Sequence, residues 1–260
     1  MDNLPEKFSM NRLNACTFPN LPAPFHQALQ DAVRFILTYT DPVGIIAAGT
    51  ILRGSPDPSS DLDLYVIHLL PWRQRLQKFF CDVPAEIFIN PPFQVERYLD
   101  EECSEGRPIT AHMLATGHII LAIDPVVHSL HERAVQLLAA PPEYPPERLT
   151  FLRYGTATIL EDAFDVAIRD PATANMFLGY AVSEMLRYFF LASHRYLPRN
   201  KDILRTVDEL SPELGSLARQ FFLVVEYPER QRLAGQIADR TIGVHGFFEW
   251  EGIPESLEGS

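Results

Sequence analysis

The residues best suited to chemistry lie between positions 49 and 67, where two aspartates open an apolar segment. Asp61 and Asp63 are separated by one residue, and Leu62, Leu64 and Val66 alternate with them. Because alternate side chains of a strand point to the same face, the two carboxylates are predicted to project side by side. Carboxylate oxygens bind Mg²⁺, which completes its shell with water and substrate phosphates. The pair therefore indicates a site for one or two Mg²⁺ ions, with Mn²⁺ as the alternative.

Two small-residue turns precede the aspartates. Gly49-Thr50 ends an apolar segment, and Gly54-Ser55 lies in the loop that leads to Asp61. Successive backbone N–H groups in such turns can hold phosphate oxygens. A metal site that faces a phosphate-binding turn is typical of phosphoryl or nucleotidyl transfer.

These residues resemble the nucleotidyltransferase superfamily that includes DNA polymerase beta and the small-molecule, kanamycin-type aminoglycoside nucleotidyltransferases. Its motif is a Gly-Ser turn, a short loop, Asp-x-Asp on a strand and a third carboxylate on a neighbouring strand. The matching segments here are Gly49-Thr50, Ser60-Asp61-Leu62-Asp63-Leu64, and Glu86 within residues 85–89. Threonine replaces the usual serine but keeps the hydroxyl group. The resemblance covers residues 43–124 and implies an α+β fold, with a mixed-sheet catalytic core followed by an all-α helical bundle.

The resemblance also implies roles for individual residues. Asp61, Asp63 and Glu86 are expected to be the catalytic and metal-binding carboxylates, with two Mg²⁺ ions. Either Glu86 or the bundle residue Glu161 would take the proton from the acceptor hydroxyl. In the segment from Pro198, Lys201 is expected to bind the triphosphate of the co-substrate, with ATP as the default. The residues expected to contact the nucleotide are Gly49, Thr50, Arg53, Ser55, Ser60 and Lys201.

Hydrophobic periodicity divides the chain into two parts. Strands are predicted at 43–48, 61–69, 84–90 and 117–123, and helices at 25–39, 71–80, 93–103 and 127–138. After a proline-rich stretch only helical patterns follow. The expected domains are an extension (1–24), a catalytic core (25–138), a linker (139–147), a helical bundle (148–243) and an aromatic tail (244–260). We expect the active site to lie between core and bundle.

The charge balance restricts the partners. With 22 Lys and Arg against 34 Asp and Glu, the net charge is −12, which disfavours nucleic acid as the main partner. A small hydroxylated acceptor that carries amino groups, such as an aminoglycoside-like molecule, suits an acidic protein better. No signal core or membrane-length apolar segment is present in the sequence, so a cytoplasmic location is predicted. Monomer and homodimer remain open.

Three alternatives stay under consideration. Dehalogenase-like phosphatases place the first aspartate after an apolar strand, which is the reverse of the order seen here. Sugar-nucleotide glycosyltransferases also use Asp-x-Asp, but they do not need the Gly-Thr turn. The third alternative is an enzyme that nucleotidylates proteins, or an antitoxin-like binding module that has kept the fold.

Overall fold

The structure, a computed structural model, describes residues 12–53 and 60–254. The chain forms two compact units, Met1–Ala140 and Pro141–Ser260. The first unit contains a five-stranded mixed sheet with helices on both faces, and the described part of the second is built from helices. The predicted α+β class, with a helical second half, is therefore confirmed.

The sheet brings together strands that are distant in the sequence. Its strands are β1 (Pro42–Ala48), β2 (Leu62–His68), β3 (Gln74–Phe80), β4 (Val83–Asn90) and β5 (His118–Ala122), in the order β3-β4-β2-β1-β5. β2 and β4 run parallel, and the other neighbouring strands pair antiparallel. The parallel pair arises because β3 reverses the chain between them. As a result, the starts of β2 and β4 lie next to each other.

Both faces of the sheet are covered by helices, which explains why its central strands are apolar on both sides. Helix α1 (Ala23–Tyr39) packs on one face through a buried stripe that includes Leu29, Val33 and Ile36. The opposite face packs against α2 (Pro92–Ser104), α3 (Ile109–Thr116) and α4 (Val126–Ala139). The central strands β1 and β2 thus send side chains into two separate cores, one on each face of the sheet.

The helix predicted at 71–80 is wrong, because the structure forms strand β3 there. Leu76 and Phe80 pack against the core under α1. Their spacing of four residues fits one face of a helix and also one face of a strand, so periodicity alone could not separate the two. The hairpin turn to β4 decides the matter: Cys81 and Asp82 both have positive φ, at 48° and 63°. A two-residue turn of this kind matches the twist of paired strands.

The second unit is a set of packed helices with its own apolar core. These are α5 (Pro146–Val166), α6 (Pro171–Ala192), α7 (Ile203–Leu210), α8 (Pro212–Leu223) and α9 (Tyr227–Arg240). In the aromatic tail, Val244 and Phe248 pack against this core, and Trp250 contacts Tyr154 of α5 with ring centroids 5.3 Å apart. Within the described residues, every helix is too short or too polar to cross a membrane.

Candidate active site at the start of strands β2 and β4

Gly49 forms the turn at the end of β1, and only glycine fits there. Its φ is 91°, in the left-handed region that side chains disfavour. A Cβ atom at this position would lie 2.5 Å from Oδ2 of Asp63, so the carboxylate of Asp63 rests against the glycine backbone. The next residues form a short 3₁₀ turn, Thr50–Arg53, which is anchored by the buried Ile51. The turn and the second aspartate of the motif are therefore in direct contact.

Asp63 lies between two strands that both contribute to the site. It is the second residue of β2, where it pairs with Ala48 of β1 on one side and with Glu86 of β4 on the other. Leu62 and Leu64 enter the core under α1, so Asp63 points to the opposite face. Glu86 occupies the same face of β4, because Ala85 and Ile87 also enter the core under α1. Two carboxylates thus stand on adjacent parallel strands in the same register.

The side chains next to the carboxylate pair on this face of the sheet are aromatic and uncharged, and we call them the aromatic floor of the site. The next register pair on the same face is Tyr65 and Phe88, whose rings stack with centroids 6.0 Å apart. Tyr65 is 1% exposed, and burial is the main cause that raises the pKa of its phenol far above the usual value. The phenol therefore stays neutral at physiological pH. The aromatic floor weakens solvent screening, so charges at the carboxylate pair act more strongly on one another.

Glu86 is held by two residues of the edge strand β3. Nη2 of Arg75 lies 2.7 Å from Oε1 of Glu86, and Nε2 of Gln77 donates a hydrogen bond of 2.6 Å to the same oxygen. The guanidinium of Arg75 also lies over the ring of Phe88, 4.7 Å from its centroid. Arg75 and Gln77 were not predicted as site residues. The helix predicted for their segment does not place them at the site, whereas strand alternation puts both on the face of Glu86.

The donor set fits Mg²⁺ as a site with few protein ligands. In the stretches 12–53 and 60–254, no three His, Cys, Asp or Glu side chains are grouped so that they could hold a metal ion. Mg²⁺ commonly needs only one or two carboxylates, because water and substrate phosphates supply its other ligands. Asp63 and Glu86 offer hard oxygen donors, and the Arg75 guanidinium already sits where a cation would neutralise Glu86. We conclude that the residues suit Mg²⁺.

The remaining predicted site residues lie in several places. Asp61 is exposed and directly precedes β2, whereas Ser60 before it is buried. Arg53 ends the 3₁₀ turn, and Ser55 lies outside the described residues. Glu161 and Lys201 belong to the second unit.

In that second unit, Glu161 is a half-buried residue of α5. A Cβ atom on Gly246 would lie 3.3 Å from its Cδ, so the side chain of Glu161 packs against the tail. Lys201 is exposed, in the short 3₁₀ turn Asn200–Asp202 that precedes α7. The side chain of Glu161 is thus partly covered, whereas that of Lys201 is open to solvent.

Comparisons with known proteins give similarity to solved structures. No family model and no curated protein matches the chain. Among solved structures, it is similar to a nucleotidyltransferase-like protein from Exiguobacterium sibiricum 255-15, whose crystal structure was determined at 1.90 Å resolution. The TM-score is 0.49 and the sequence identity 17%, over 78% of this chain and 69% of the other. A function is therefore inferred from the geometry of Gly49, Asp63 and Glu86 alone.

Proposed function

We propose that the protein is a metal-dependent nucleotidyltransferase. It would move a nucleoside monophosphate, AMP by default, from a nucleoside triphosphate to a hydroxyl group of a small acceptor and release pyrophosphate. The observation that carries this proposal is the contact of the Asp63 carboxylate with the Gly49 turn, beside Glu86 on the parallel neighbouring strand. This contact joins a phosphate-binding type of turn to a carboxylate pair.

Different groups of the chain would bind different parts of the nucleotide and its metal ion. The backbone at Gly49 and Thr50 would receive the terminal phosphates, since a glycine turn leaves its N–H groups accessible. Arg53, Ser55, Ser60 and Lys201 are the further residues that we propose to contact the nucleotide. Asp63 and Glu86 would hold Mg²⁺, and we propose that Asp61 turns to join them when metal and nucleotide bind. The bound ion would neutralise charge on the phosphates and on the leaving group.

The transfer exchanges one P–O bond for another. The acceptor oxygen forms a bond to the α-phosphorus, the bond from that phosphorus to the pyrophosphate oxygen breaks, and the hydroxyl proton goes to a base. Glu86 is the first choice for that base because it lies beside Asp63, and Glu161 is the alternative. The net charge of −12 favours an acceptor that carries amino groups, such as an aminoglycoside-like molecule.

The test is an assay with α-labelled nucleoside triphosphates, Mg²⁺ and a panel of small aminated and hydroxylated acceptors. The expected result is label on one acceptor class together with equal release of pyrophosphate. Asp63→Asn should abolish both, because it removes the carboxylate against Gly49. Asp82→Asn is the matched control, since Asp82 is exposed in the β3–β4 turn and Asn tolerates its positive φ. Equal activity of wild type and Asp63→Asn would refute the proposed site.

One observation favours a second function. Glu86 already has a counter-ion in Arg75 and a hydrogen bond from Gln77, so its charge is balanced within the chain. A nucleotidyltransferase fold that serves as an antitoxin-like binding module, or that nucleotidylates a protein, would be compatible with such a site. Label on a co-purified protein would identify protein nucleotidylation. Nucleotide binding without any turnover would identify the binding module.

A further inference from the structure

The edge strand β3 places a positive charge beside the proposed metal site. Arg75 and Gln77 alternate on the face that carries Glu86, as the pairing of Gln77 with Glu86 and of Arg75 with Phe88 requires, and Arg73 directly precedes the strand. Of the two arginines, Arg75 contacts Glu86, whereas Arg73 donates a hydrogen bond to the hydroxyl of Tyr98. The two cations are therefore close in the sequence but engage different partners.

The two side chains of the Arg75–Glu86 ion pair differ in their exposure to solvent. The side chain of Arg75 is 61% exposed, whereas that of Glu86 is 19% exposed. Arg75 can leave Glu86 at little cost because solvent already reaches its guanidinium group. Glu86 pairs in register with Asp63, so a divalent cation bound to both carboxylates would compete with Arg75 for Glu86. Arg75 supplies the positive charge beside Glu86, and its exposure makes it replaceable by another cation.

We propose that Arg75 is a built-in counter-ion that a divalent cation must displace from Glu86 when it binds at Asp63 and Glu86. This inference rests on the proposed function and adds the regulation of its site. Arg75 lowers the affinity for free metal ions, so the site fills mainly when the phosphates of a nucleotide arrive together with the metal. The stacking of Arg75 on Phe88 keeps the displaced guanidinium next to the site.

The experiment measures binding of Mn²⁺ alone to the full-length chain by isothermal titration calorimetry, without nucleotide or acceptor. Arg75→Met should bind Mn²⁺ about two- to fivefold more tightly than wild type, the range expected for the loss of an exposed competing ion pair. Arg73→Met is the matched control, since it removes an equal charge from the residue directly before β3, where the arginine contacts Tyr98 and not Glu86. It should change the affinity by less than about 1.5-fold at 0.15 M salt, where charges are screened beyond about 8 Å.

A double-mutant cycle separates competition for Glu86 from a general charge effect. In a Glu86→Gln background, Arg75→Met should no longer tighten Mn²⁺ binding. Asp63→Asn should weaken binding in every background. The inference is overturned if wild type and Arg75→Met bind equally, or if Arg73→Met tightens binding as much as Arg75→Met. Failure of the proposed function has a different signature: Mn²⁺ binding then does not depend on Asp63 in any variant, which overturns both.

Discussion

Replacing Gly49 with alanine tests the central contact of the site. The substitution places a methyl group 2.5 Å from Oδ2 of Asp63 and forces alanine to a φ of 91°. Strained backbone of this kind costs about 1–3 kcal/mol. Turning the Asp63 side chain away from its rotamer costs about 0.5–1.5 kcal/mol more. We therefore expect Gly49→Ala to destabilise the first unit by about 1.5–4.5 kcal/mol. It should also weaken nucleotide binding at least tenfold, a figure on the order of one displaced charged contact.

The two tryptophans allow each unit to be followed separately. Trp72 lies in the first unit and Trp250 in the second. Urea unfolding followed by Trp72 fluorescence in a Trp250→Phe background reports the stability of the first unit. The part of the free-energy cost that comes from the clash with Asp63 should disappear when Asp63 is also replaced by alanine. The Cβ atom of residue 63 would lie 3.5 Å from the new Cβ atom of residue 49, which is an ordinary contact distance.

Gly155→Ala supplies a control of opposite sign. Gly155 lies within helix α5, and a Cβ atom there would meet nothing within 4 Å. Alanine should stabilise the helix by up to about 1 kcal/mol, as read by Trp250 fluorescence. The reasoning is refuted if Gly49→Ala unfolds at the wild-type urea concentration and binds nucleotide normally, because Asp63 would then not rest on the turn.

Two further predictions concern the folding of the first unit. Burial is the main cause that lowers the pKa of His68 in the folded protein, although a hydrogen bond with the Trp72 carbonyl opposes it. As the pH decreases, the unfolded chain therefore takes up the proton first, near pH 6.5. The free energy of unfolding then falls until the pH reaches the lower pKa of the folded protein. This pH dependence is at most about 1.4 kcal/mol per pH unit, and His68→Gln should reduce it in urea unfolding between pH 7 and 5. An unchanged slope would contradict the assignment of the pH dependence to His68. Glu102 accepts hydrogen bonds from the backbone N–H of Thr110 at 2.5 Å and from its hydroxyl at 2.9 Å, so Glu102→Ala should cost about 1–2 kcal/mol. The exposed neighbour Glu101 is the control, and Glu101→Ala should change the stability by no more than about 0.5 kcal/mol in the same assay. Equal effects of the two substitutions would disprove that the hydrogen bonds from Thr110 to Glu102 stabilise the unit.

The predictable part of the fold is the part with strong, unambiguous periodicity. Strands β1, β2 and β4 are nearly continuous apolar segments, and α1 has a clean helical stripe, so local sequence was sufficient for them. Periodicity mispredicts strand β3 because all of its residues are exposed or half-buried, and the two that pack against the core, Leu76 and Phe80, fit both periods. An edge strand carries little hydrophobic signal, since only one of its sides is paired and much of it faces water.

The predictable part of the site follows the same rule. The alternation around Asp63 predicts that it lies on the face away from the core under α1, and the apolar pattern of β4 predicts the strand that carries Glu86. The contact between Gly49 and Asp63 depends on the pairing of β1 with β2, which local sequence does not specify. Arg75 and Gln77 depend on the register of β3 against β4, so they became visible only in the assembled sheet.

The most direct test of the account is a crystal structure of the chain with Mg²⁺ and a nucleoside triphosphate analogue that cannot be cleaved at the α-phosphorus. The account predicts phosphate oxygens at the backbone of Gly49 and Thr50, and a Mg²⁺ ion about 2.1 Å from a carboxylate oxygen of Asp63. It also predicts that Glu86 has left Arg75. A nucleotide bound elsewhere on the chain, or a metal ion that Asp63 does not contact, would contradict it.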